Sequence, residues 1–346
     1  MHPLLAIVTQ LLLALTLPSV PEPTGRPAIE PAVPSATVSR GTVDYLRSID
    51  ARQVDALAKP RSVWGKLLEW VAGPAERPHL IRPFGITEDS RGRLIIADPG
   101  QRVVHLLDLE KRDYKFISGT KRNLFQSPVG VAVDEQDNIY VSDSARGEIC
   151  VFDPQGKHLR SIGQKGSRTP LQRPTGIAVD PQGRSVFVAD TQLHQVLVFD
   201  LEGKLLRTIG HRGTEPGEFN FPTFLTLAAG RLYVVDSMNF RIQIFSLDGK
   251  PLGGFGRLGN RSGTLNRPKG ISVDSDGNIN VVDALFETVQ VFNSEGTLLY
   301  YFGSSGTAPG QFVLPGGIYI NPRNIILVAD SYNQRVQVFR YRRVAP

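Results

Sequence analysis

A proline and an aspartate recur along this chain in a fixed order, and that recurrence limits the fold more than any other feature. Pro83, Pro128, Pro174, Pro222, Pro268 and Pro315 each open a unit, and Asp98, Asp143, Asp190, Asp236, Asp283 and Asp330 follow 14 to 16 residues later. Successive aspartates stand 45, 47, 46, 47 and 47 residues apart. The stretch from Arg173 to Gly210 shows the content of one unit. It holds four short runs rich in Val, Ile, Leu or Phe: Gly176 to Val179, Ser185 to Ala189, Gln195 to Phe199 and Leu205 to Ile209. Asp180-Pro181-Gln182-Gly183 and Asp200-Leu201-Glu202-Gly203 supply tight turns between them, because Pro presets its own φ and Gly accepts positive φ. A four-stranded sheet that is apolar on both faces cannot bury both alone and needs a neighbour on each side. Six such units at this period predict an all-β fold, a six-bladed β-propeller of four-stranded antiparallel blades. Helical solenoids are excluded, since the apolar runs are short, β-branched and punctuated by Gly and Pro.

After Phe339 only Arg340 to Pro346 remain, so the sixth blade lacks its outermost strand. The segment Gly65 to Val71, GKLLEWV, resembles Gly203 to Ile209, GKLLRTI, and both lead on to a Pro. Residues 66–71 are therefore expected to pair with Val336 to Phe339 and close the ring, which removes the open seam.

Upstream, Leu4 to Leu17 is an apolar run broken only by Thr9 and Gln10 and stopped by Pro18. It is short for a spanning helix, which needs about 20 residues, and fits the core of an export signal, with an uncleaved anchor as the alternative. Residues 1–20 are read as this segment and 21–63 as a Pro-rich linker. Within the linker, Leu46, Ile49, Val54 and Leu57 suit either a short amphipathic helix or irregular chain. Residues 64–346 are read as the propeller. Net charge is +6, which favours anionic neighbours without choosing among them. Cys150 is the single cysteine, so no intrachain disulfide forms, and it is read as a buried structural thiol.

The runs Val234 to Phe245, VVDSMNFRIQIF, and Val328 to Phe339, VADSYNQRVQVF, resemble the NHL-repeat family. So do Arg173 to Asp180, RPTGIAVD, and the linkers Gly210 to Phe219 and Gly303 to Phe312. The resemblance is to exported bacterial six-bladed propellers, and propellers of this kind host lyases, lactone hydrolases, RNA binders and protein-binding modules. The Asp-x-x-Asn-x-Arg turn is complete only in blades four, with Asp236, Asn239 and Arg241, and six, with Asp330, Asn333 and Arg335. The six repeated Asp residues are read as structural clips that accept backbone N–H bonds and hold Arg241 and Arg335.

Enzymatic relatives hold a metal in the central tunnel. Here the positions two and four after each opening Pro are Gly85/Thr87, Gly130/Ala132, Gly176/Ala178, Phe224/Thr226, Gly270/Ser272 and Gly317/Tyr319. Zinc wants His, Cys or carboxylate and calcium wants several oxygens, and this set offers neither. No metal, cofactor or catalytic set is expected. One rim instead gathers cations and rings: Arg82, Arg173, Arg267 and Lys269 with Phe84, Phe221, Phe224, Phe240 and Tyr332. Guanidinium forks clamp carboxylate or phosphate, and rings stack. The expected function is an exported, non-enzymatic, monomeric binding scaffold for a protein or an anionic envelope polysaccharide. Membrane contact would come only through the N-terminal segment. The alternatives are a propeller hydrolase or lyase with a tunnel metal, and an RNA-binding domain, which requires that the chain not be exported and predicts steeply salt-dependent affinity.

Overall fold

The computed structural model describes residues 41–57, 78–180, 182 and 184–343. The expected export segment, most of the linker and residues 66–71 lie outside these. Six four-stranded antiparallel sheets stand in a ring; five run in simple meander order from the innermost strand outward, and the sixth takes its outermost strand from the N-terminal side of the chain. In blade three the strands are Pro174–Val179, Val186–Asp190, Gln195–Phe199 and Leu205–Ile209, close to the runs legible in the sequence. Their register places Ile177 opposite Val188, Val188 opposite Leu197 and Leu197 opposite Thr208.

The core lies between blades. Strand alternation sends Val186 and Val188 toward blade two, among Tyr140, Ile149 and Val151, and sends Phe187 and Ala189 toward blade four, among Leu225 and Val234. Burying each such side chain is worth ~1.5–3 kcal/mol, and every blade depends on two neighbours to obtain it.

Closure comes from the N-terminal side, but from an earlier segment than residues 66–71. Thr42–Ile49 pairs antiparallel with Arg335–Arg342, setting Ile49 against Val336 and Tyr45 against Phe339. The register slips between Tyr45 and Arg47, leaving Leu46 as the extra residue of a bulge. The chain then turns at Asp50 into a short helix, Ala51–Leu57. Asp50 Oδ1 accepts from the N–H of Arg52 at 2.8 Å and Gln53 at 3.2 Å, while Gln53 Oε1 accepts from Asp50 N–H at 3.0 Å, a reciprocal cap. Val54 and Leu57 sink into the core shared by blades six and one. The segment read as helix or irregular chain is thus a bulged strand followed by two turns of helix. No helix among the described residues is long and apolar enough to cross a membrane.

The innermost strands approach one another so closely that five blades carry glycine at the contact. A Cβ on Gly130 would stand 2.1 Å from Thr175 O, and one on Gly317 would stand 2.2 Å from Phe84 O. Blade four has Phe224 at the equivalent place.

Candidate functional site

Each of the six repeated aspartates is fully buried as the last residue of its second strand, and what it holds differs among blades. In blades one, two, three and five it accepts from two backbone N–H groups of the incoming loop and from N–H groups of its own turn. Asp98 holds Ile81 N at 2.7 Å and Arg82 N at 3.1 Å; Asp190 holds Gln172 N at 2.7 Å and Arg173 N at 3.0 Å; Asp283 holds Asn266 N at 2.7 Å and Arg267 N at 3.0 Å. Asp143 does the same for Gln126 and Ser127. The three arginines that precede a blade-opening proline are therefore fixed by their main chain, and their guanidinium groups have no partner among the described residues. Burial with no cation at hand raises the Asp283 carboxyl above its ordinary range, although the four backbone N–H groups partly offset that.

Blades four and six use the other arrangement. Arg241 Nε donates to Asp236 Oδ2 at 2.7 Å and Arg335 Nε to Asp330 Oδ2 at 2.8 Å. Asn239 and Asn333 donate to the same oxygens at 2.8 Å. The remaining guanidinium N–H groups donate to loop carbonyls, including those of Glu218 and Gln311. Both arginines are consumed by the scaffold. Here the aspartate keeps one loop N–H only, and the second turns to a side chain of the preceding blade: Phe221 N–H donates to His194 Nδ1 at 3.2 Å, and Leu314 N–H to Glu287 Oε1 at 3.4 Å. Phe221 and Leu314 accordingly take positive φ, 52° and 45°.

The residue after the clip aspartate joins neighbouring blades, a role the repeat pattern alone did not suggest. Thr191 donates to Pro222 O at 2.7 Å, Ser237 to Pro268 O at 3.1 Å and Ser331 to Pro83 O at 2.7 Å. The Ser or Thr that follows four of the six aspartates was the available signal. Blades one and five have Pro99 and Ala284 there instead, and these two residues line a cavity at the ring's mouth.

That cavity, of about 240 Å³, gathers Arg82, Phe84, Arg267, Lys269 and Tyr332 among its walls. Lys269 Nζ sits 5.2 Å from the centre of the Phe84 ring, a cation–π contact. Phe84 in turn packs against Phe224, ring centres 5.5 Å apart, from across the ring. Burial, together with the charges of Arg267 and Arg173, pulls the Lys269 ammonium down to about 8. Arg82, Arg173 and Arg267 are exposed, and none of these four cations has a hydrogen-bond or ion-pair partner among the described residues. The other rim residues go elsewhere. Phe221 packs against His194 with ring centres 4.4 Å apart and planes tilted by 56°, and Phe240 packs into the core between blades four and five.

Beneath the Phe84–Phe224 pair the tunnel widens to a cavity of about 540 Å³. Thr87, Ala132, Ala178, Thr226, Ser272 and Tyr319 line it. Its wide end is not neutral, as the small-residue pattern implied, because Glu88 and Asp274 also reach it. Both are engaged: Glu88 with Asn321 at 3.0 Å and Arg323 at 3.2 Å, Asp274 with the N–H groups of Asp276 and Asn278. Among the described residues no three His, Cys, Asp or Glu side chains come together as a metal site requires. Cys150 is buried, and burial followed by the charge of Glu148 pushes its thiol up to about 12.

Family comparison agrees with this architecture. A six-bladed beta-propeller family matches residues 177–255, and the NHL repeat matches residues 125–152 and 312–339. No curated protein matches the chain in sequence. Among solved structures, a Bacteroides thetaiotaomicron protein of unknown function superposes with a TM-score of 0.60 at 16% identity, covering 76% of this chain and 70% of that one. An auxiliary nutrient binding protein from the same organism gives 0.58 at 14%, covering 76% and 69%. Virginiamycin B lyase from Staphylococcus aureus gives 0.55 at 13%, covering 75% and 95%. At such identities the likeness is one of fold, and with the repeat matches it supports a single statement of kind: the chain is a six-bladed β-propeller that carries NHL repeats.

Proposed function

We propose that this propeller is a binding module and that its cationic mouth recognises an anionic group, a carboxylate or phosphate, displayed by a protein or an acidic envelope polymer. The observation that carries the reading is a set of four cations, Arg82, Arg173, Arg267 and Lys269, with no hydrogen-bond or ion-pair partner among the described residues, of which Lys269 lies over the Phe84 ring and feels the charges of Arg267 and Arg173. Like charges held together cost free energy in the empty site, and an incoming anion relieves that cost. Guanidinium forks suit carboxylate and phosphate, and Phe84 with Tyr332 offers apolar surface to whatever carries the charge. A rigid ring with its arginines pinned by buried aspartates preorganises the site, so little ordering entropy is lost on binding. An export signal at Leu4 to Leu17 would deliver such a module to the cell envelope.

Affinity capture from envelope extract, comparing the native chain with the Arg82→Ala, Arg173→Ala, Arg267→Ala triple variant, tests this. Loss of a partner in the variant is expected, and equal recovery of the same partners by both removes the mouth from the account. A catalytic reading draws only on the fold shared with virginiamycin B lyase, and a stoichiometric metal in the purified protein would favour that reading instead.

A further inference from the structure

Blade two is built differently from blades four, five and six on its outer side. In those three blades a glutamine on the third strand ties down the incoming loop. Gln243, Gln290 and Gln337 donate to Glu218 O at 2.6 Å, Thr264 O at 2.8 Å and Gln311 O at 2.6 Å. Each also accepts from a loop glycine, Gly217, Gly263 or Gly310. The loop then lies across the blade and fills its outer flank. In blade two the equivalent residue is Cys150, whose short buried side chain holds no loop. The incoming loop, residues 118–127, is also 10 residues long, against 12 for residues 210–221 in blade four. It curls back on itself, Thr120 N–H donating to Asn123 O at 2.7 Å, and leaves the flank open.

The result is a groove of about 970 Å³ that follows the outermost strand, His158–Ile162, from the turn before it to the loop beyond it. Lys121, Arg122, Lys157 and Lys165 line it, and none has an ion-pair partner among the described residues. A fifth cation, Arg146, donates to Glu148 at 2.6 Å, so five cations less one carboxylate leave the groove at +4 with His158 neutral. Asn123, Gln155 and Gln164 add amides. Among the described residues the one ring in the lining is His158, which is turned edge-on to Phe152 and lies 3.2 Å from Ser161 Oγ.

We propose that this groove is a second binding site and that it takes a segment of an acidic polysaccharide, sulfated or uronate-bearing. Spread ammonium groups match charges spaced along a flexible polymer, and amides match its hydroxyls. The volume stands at the upper end of the ~300–1,000 Å³ that small-ligand sites occupy, which leaves room for several sugar rings. Single-stranded nucleic acid would want flat rings for its bases to stack on, and the lining presents none free to do so. The site is separate from the mouth and does not depend on what the mouth binds.

Titration of the full chain with a heparin-derived hexasaccharide tests the inference, with neutral dextran and poly(U) RNA in parallel. Binding should weaken steeply with salt. It should fall at least about tenfold in the Lys121→Ala, Lys157→Ala, Lys165→Ala variant, whose changes lie on the surface. It should persist in Lys269→Met, and neutral dextran should not bind. Wild-type affinity in the triple variant, loss of binding in Lys269→Met, or poly(U) binding as tight as the hexasaccharide would each overturn it. Melting curves confirm that the variants remain folded.

Discussion

Replacing Lys269 with methionine is expected to stabilise the protein while weakening its hold on an anion. The ammonium is displaced from an ordinary 10.5 to about 8 by burial and by the charges of Arg267 and Arg173. At ~1.4 kcal/mol per pH unit this corresponds to about 3 kcal/mol against the charged form. Solvent reaches part of the side chain and screens its neighbours, which reduces the net cost to ~1–2 kcal/mol. Methionine keeps the reach and the contact with Phe84 and discards the charge. The direction with pH follows from proton binding. Between about 8 and 10.5 the unfolded chain holds a proton that the folded chain has lost, so the parent gains stability as pH rises through that window. Below it the full cost applies, and above it none does. Urea unfolding at pH 7 and pH 10 should therefore show the variant ahead by ~1–2 kcal/mol at the lower pH, with a smaller gap at the higher. A variant less stable than the parent at pH 7, or a gap that widens toward pH 10, would refute the claim that Lys269 is a charge held at a cost for the sake of a ligand.

Three further outcomes follow from the geometry. Asp190→Ala strips the acceptor from the N–H groups of Gln172, Arg173, Gln192 and Leu193; it should cost about 3 kcal/mol or more in denaturant unfolding and should weaken anion binding by releasing Arg173. Gly130→Ala forces a methyl to within 2.1 Å of the Thr175 carbonyl, which is backbone and cannot swing aside, so a loss of about 3 kcal/mol or more should appear as a lower melting temperature. Cys150, with its thiol up at about 12 and no exposed surface, should resist thiol reagents at pH 8 until urea unfolds the ring.

The ladder of Pro and Asp made the blade count readable, and the apolar runs between them all four strands of blade three, because each repeated residue answers a backbone need that any blade shares. The closing strand was harder to find. Its bulge at Leu46 interrupts the two-residue alternation, so Val43 and Tyr45 fall out of phase with Ile49, and the spacing of Leu46, Ile49, Val54 and Leu57 imitates a helix. Residues 66–71 carried the cleaner local pattern, yet pairing with Val336 to Phe339 is settled by tertiary contacts that no local pattern encodes. The cations of the mouth were visible as residues preceding proline. That Arg241 and Arg335 are spent inside the scaffold while Arg82, Arg173 and Arg267 find no partner among the described residues could not be read without the loops in place. Nor could the open flank of blade two, where Cys150 stands in place of a glutamine and the loop is two residues shorter than those of blades four and five.

The seam where Thr42–Ile49 meets Arg335–Arg342 joins residues as distant as Thr42 and Arg342, 300 positions apart in the chain. Five blades can form as their residues emerge during synthesis, but the sixth has to wait for both ends of the chain. Until then its bare strand edge is open to any other extended segment, including the same edge on another copy. Changes that weaken this seam should thus be felt first during biogenesis, as lower yield and aggregation, before any defect shows in the finished molecule.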